Sequence, residues 1–87
     1  MKIEKAREIE KESKDNIKIG KYEEYIIKTI NGKTIIASDI FIEGGACLFE
    51  GLHLDYSLHY QNKDFDYKSI TLSQILSIDL LVAVINN

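Results

Sequence analysis

An Asn-Gly dipeptide at residues 31 and 32 separates two isoleucine-rich runs, Glu23 to Ile30 and Lys33 to Glu43. Both residues tolerate positive φ, which a two-residue type I′ turn needs at its central positions. The spacing predicts a hairpin in which Ile30 faces Lys33, Ile27 faces Ile36 and Tyr25 faces Ser38. The rest of the chain must pack on this ribbon or extend it.

The second strand runs on to Ile42 and meets Gly44-Gly45, a further tight-turn signal. A two-residue turn there sets Ile42 opposite Cys47 and Ile40 opposite Phe49. One face then gathers Tyr25, Ile27, Ile36, Ile40, Ile42, Cys47 and Phe49 as a core. Downstream, Leu52, Leu54, Tyr56, Leu58 and Tyr60 alternate with His53, Asp55, Ser57 and His59. This period of two predicts a strand with one buried and one wet face. An unbroken strand from Phe49 would turn His53 and Asp55 inward, so a bulge is expected at Glu50-Gly51. Gln61 to Asp64 reads as a polar turn into a strand from Phe65 to Ile70. Leu72 and Ile75, behind Thr71 as a cap, suggest one helical or 3₁₀ turn. The last strand, Ile78 to Ile85, is apolar in both phases and is expected to be interior or clasped from both sides.

Ahead of the hairpin, residues 2–15 suggest a helix with a thin apolar stripe of Ile3, Ala6 and Ile9, and Glu10 and Lys14 form an i, i+4 pair. Residues 17–20 read as an extended connector. The expected architecture is one α+β, mostly β domain. A helix and connector (1–20) precede a β domain (21–87), built as a strongly bent five- or six-stranded antiparallel sheet or small barrel. The Ile30 to Ile35 hairpin (INGKTI) and the Leu72 to Ile78 turn-and-strand (LSQILSI), in this element order, resemble the SH3-like and Sm-like small barrels. That resemblance implies a small barrel, with nucleic-acid binding and ring formation as the alternative function. No RNA-binding residue is carried over from it.

Size and charge narrow the function. Eighty-seven residues supply one modest core. The single cysteine, Cys47, excludes an intramolecular disulfide and a Cys-rich zinc site. A charged N-terminal stretch and short apolar runs predict no signal peptide, no membrane span and a cytoplasmic location. Residues 1–22 carry a net charge of +2 and residues 23–87 a net −5. An acidic β body disfavours phosphate binding and suits a protein partner with a basic surface.

Catalytic chemistry finds little support. His53 and Asp55 share one wet strand face about 6 to 7 Å apart and are weak metal candidates needing a third ligand, while His59 lies about 20 Å from His53. A His, Asp and Ser aligned along one strand do not converge as a triad. Gly44-Gly45 lacks the following helix of a phosphate loop. The reading is therefore a non-enzymatic interaction domain without a cofactor. Its expected contact patch is Tyr60, Asp64, Phe65, Asp66 and Tyr67, an acidic aromatic cluster around one polar turn. Small size, acidity and an Ile, Lys and Asn bias further suggest a phage or mobile-element inhibitor of a host nucleic-acid-handling or defence complex. Homo-oligomerisation stays open, because the apolar terminal strand and Ile26, Ile35 and Phe41 on the hairpin's second face need cover, from the N-terminal helix or from another copy.

Overall fold

The computed structural model describes residues 1–44 and 56–85. Helix α1 (Ile3–Lys18) is followed by strands β1 (Lys21–Thr29), β2 (Thr34–Gly44), β3 (Tyr56–Gln61) and β4 (Tyr67–Thr71). A single 3₁₀ turn at Leu72–Gln74 then leads into β5 (Ile75–Ile85). The strands form one antiparallel sheet in the order β4-β3-β2-β1-β5. The outer strands β4 and β5 are not paired with each other, so the sheet is bent and open rather than a closed barrel.

α1 carries Glu4 in its first turn and Lys18 in its last, both matching the helix dipole. It does not end at residue 15 in an extended connector, as expected from the sequence. The helix continues through Lys18, and Ile19 N and Gly20 N tighten its end by donating to Asn16 O and Ile17 O. Gly20 then reverses the chain at φ +77°, a left-handed position that favours glycine. Ala6 and Ile9 are buried in the same apolar cluster as Tyr25, Ile27, Ile40, Leu58, Ile75 and Ile78. Ile27, Ile40, Leu58 and Ile75 are its largest fully buried side chains. Burying each such side chain is worth about 1.5–3 kcal/mol.

The first hairpin forms at Asn31-Gly32, but one residue away from the expected register. Tyr25 pairs with Ala37, Ile26 with Ile36 and Ile27 with Ile35. The loop holds three residues, closed by Gly32 N donating to Thr29 O at 3.1 Å and Thr29 N to Lys33 O at 3.0 Å. Only Gly32 takes positive φ, at +85°, while Asn31 does not. This is a type I turn ending in a left-handed glycine, not a type I′ turn. The slip turns Ile36 to the outer face and Ala37 into the core. A β-bulge in β2 between Ser38 and Phe41 then restores the phase, so Ile40 and Ile42 are buried as expected. The expected bulge at Glu50-Gly51, the pairings of Cys47 and Phe49, and His53 and Asp55 lie outside the described residues.

β2 also divides the sheet. β1 pairs with it only over residues 25–28, whereas β3 pairs with it from Ser38 to Gly44. Beyond Ala37 the two flanking ladders therefore diverge. On the core side, α1 covers the divergence, and the buried Glu10 accepts a hydrogen bond from Ile42 N. Arg7 at 3.3 Å and Lys14 at 3.7 Å balance that carboxylate. Glu23, more deeply buried still, accepts from the Asn16 side-chain amide and the Tyr25 hydroxyl.

Among the described strands β5 lies at the sheet edge, rather than interior or clasped from both sides as expected. Its register against β1 skips Leu76 and Leu81. These two and Leu80 are exposed. The bulges explain how a strand apolar in both phases comes to lie at an edge, since each one re-aims a leucine outward.

Candidate functional site: an aromatic hairpin tip and its groove

The β3–β4 connection repeats the loop geometry of the first hairpin. Asn62 N donates to Asp66 O at 2.9 Å and Phe65 N to Asn62 O at 3.1 Å. Asn62 Oδ1 also accepts from the backbone of Asp64 at 2.9 Å and Asp66 at 3.0 Å. Gln61 Nε2 donates to Phe65 O at 3.2 Å. The loop is thus fully braced by polar side chains, and the expected strand start at Phe65 moves to Tyr67.

The residue occupying the left-handed position that Gly32 fills in the first loop is here Phe65, at φ +65°. For a bulky side chain this conformation costs about 1–2 kcal/mol. The ring is held outward, 76% exposed. Among the described residues the only other non-glycine with positive φ is Asp39, at φ +49° in the β2 bulge. Asp39 belongs to the same corner, because Tyr67 donates its hydroxyl proton to Asp39 Oδ2 at 2.8 Å. That hydrogen bond to a carboxylate, with the charge of Asp39, raises the Tyr67 pKa above the ordinary tyrosine value.

Of the five residues expected to form the contact patch, four are together on the surface: Asp64, Phe65, Asp66 and Tyr67. Tyr60 is not among them. It is 7% exposed and turned into the core, and its burial raises its pKa. Its strand phase puts it opposite Lys68, one position off the face that carries Gln61 and Tyr67. Asp64 and Asp66 form no ion pair among the described residues. Within the tip itself Lys63 and Lys68 balance them, so the local acidity comes from Asp39 and from Glu24 on β1.

A groove of about 600 Å³ runs along the outer face beside the tip. Tyr22 and Glu24 of β1 form one wall, Ile36 and Ser38 of β2 the floor, and Gln61 and Phe65 the opposite wall. It opens where β1 and β2 diverge, beyond the last pair, Tyr25 with Ala37. Tyr22, Glu24, Ile36 and Asp39 were missed from the sequence. Their only sequence signal is that Tyr22 and Glu24 alternate with the core residues Glu23 and Tyr25.

Further along the outer face, the His59 ring stacks on Phe41 with centroids 4.6 Å apart. His59 Nε2 lies 2.9 Å from Glu43 Oε2, but off the alignment of a hydrogen bond. Among the described residues no group of three or more His, Cys, Asp or Glu is placed to hold a metal ion. None of the described helices is long and apolar enough to cross a membrane. No protein-family model, no curated protein and no solved structure matches the chain.

Proposed function

We propose that this chain is a non-enzymatic protein-interaction domain that presents the β3–β4 tip to a basic surface of a partner protein. The observation that carries the reading is Phe65, a strained and exposed aromatic ring fixed by a fully braced loop. Backbone strain persists where the surroundings over-determine it, and it collects at ligand clamps and binding sites. A loop backbone already fixed in the free protein loses little further entropy on binding. Asp64 and Asp66, which form no ion pair among the described residues, supply the charge complementarity together with Asp39 and Glu24, the four outweighing Lys63 and Lys68. Occupying a basic surface is also how such a domain would inhibit a nucleic-acid-handling complex, since the same surface would bind phosphates. The exposed leucines of β5 are the surface on which a second copy would pack.

The test is affinity capture from the source cell's lysate with nuclease present, comparing the wild type with Asp64→Lys/Asp66→Lys. Circular dichroism would confirm that the variant is folded. A protein partner retained after nuclease and lost by tenfold or more in the variant is the expected result. Unchanged capture by the variant would overturn the reading. Material released by nuclease would support a nucleic-acid binder instead.

A further inference from the structure

Resting on that reading, we infer that the groove between Tyr22 and Phe65 receives a single arginine side chain of the partner. Three properties of the groove point to a guanidinium. Three of its side chains keep acceptors left over after internal pairing, beside the donor groups of Asn62 and Lys63. Gln61 spends its amide nitrogen on Phe65 O, which leaves its Oε1 free. Ser38 donates its proton to Gln61 O, which leaves its own lone pairs. The Glu24 carboxylate, half-buried on the wall, makes no ion pair among the described residues. A guanidinium has five N–H donors and no acceptor, so it matches such a set.

The second property is an aromatic residue on each wall, Tyr22 and Phe65. A planar cation stacks on aromatic faces, and arginine does so better than lysine. The third is shape. The groove is open at the surface and floored by Ile36, so the aliphatic stem of a long side chain can lie on apolar surface while its head reaches Glu24. Lys63 also lines the groove and opposes a cation. Its side chain is exposed and flexible, so its ammonium can leave for solvent, whereas Glu24 is set in the strand.

The experiment titrates the ¹⁵N-labelled full chain with N-acetylated, C-amidated Leu-Arg-Leu, and with the lysine and citrulline counterparts. The expected result is saturable amide shifts confined to Tyr22, Glu24, Ser38 and Gln61, with affinity several-fold weaker for lysine and absent for citrulline. Glu24→Gln should weaken arginine binding by about tenfold, as loss of one charge-assisted hydrogen bond does. An equal response to arginine and citrulline, or shifts that avoid the groove, would overturn the inference. If those shifts are absent while Asp64→Lys/Asp66→Lys still abolishes capture, the groove inference alone fails and the tip remains the interaction site. If charge reversal leaves capture unchanged, the interaction reading fails whatever the peptides do.

Discussion

Phe65 stands where its neighbours' hydrogen bonds, not its own preference, decide the backbone. Asn62 closes the loop around it with both main-chain groups and its side-chain oxygen. Replacing the ring by glycine removes a left-handed penalty of about 1–2 kcal/mol, less about 0.5–1 kcal/mol for glycine's extra freedom in the unfolded chain. Phe65→Gly is therefore expected to raise stability by up to ~1.5 kcal/mol, seen as a higher urea midpoint, while weakening partner capture. A lower midpoint would show that the ring packs usefully in the free protein. The acidic aromatic cluster was legible in the sequence because Asp64, Phe65, Asp66 and Tyr67 are consecutive. The inward turn of Tyr60 was legible too, in its alternation with Ser57 and His59 on the Leu58 face, and that phase was at odds with its place in the contact patch. What was not legible is the pairing of Gln61 with Tyr67. A three-residue loop with a left-handed third position fixes that pairing, and the phenylalanine there gave no glycine signal.

At the scale of elements, the helix, the first hairpin and the 3₁₀ turn were readable from local patterns. The hairpin's register was not. Asn-Gly satisfies a two-residue turn and also the last two positions of a three-residue turn, and these differ by one residue in register. Thr29 decides between them here, its hydroxyl accepting from Lys33 N at 2.9 Å. The groove was hidden for a related reason. It exists because the Asp39 bulge lets β1 and β2 part, and no local pattern announces how far two strands stay together. α1 seals that parting on the core side through Glu10. Glu10→Ala leaves the buried Ile42 N–H without an acceptor, at a cost of about 1–3 kcal/mol. Glu10→Gln keeps a carbonyl acceptor and should cost less. Denaturant titration of the two variants would separate them, and equal losses would mean that charge rather than the hydrogen bond matters.

The whole molecule carries its alkaline weakness in its tyrosines, chiefly the buried phenol of Tyr25, with Tyr60 and Tyr67 shifted in the same direction. Burial raises the Tyr25 pKa, and the hydrogen bond to Glu23 with its negative charge raises it further. The unfolded chain ionises this group near pH 10, while the folded chain still holds the proton. The sign follows from linkage. The stabilisation is present in full below pH ~10 and is lost as pH rises from there through the folded value. Thermal unfolding followed from pH 8 to 11 should show the fall, and Tyr25→Phe should make it shallower. A wild-type profile that stays level past pH 10 would contradict the burial of that hydroxyl.

The strand order has a kinetic side as well. β1 with β2, and β3 with β4, are joined by three-residue loops and need only local closure. The ladder between β1 and β5 spans residues from Thr29 with Ile75 to Lys21 with Ile85, so its partners are separated by most of the chain. Closing so large a loop must be paid in chain entropy before any of that ladder's contacts form. The two hairpins are consequently expected to be the early units of folding. The longest ladder in the sheet is then the last to zip, with the apolar strand β5 left waiting for its partner, and pulse-labelled amide exchange should show β1–β5 protection arriving after that of the hairpins.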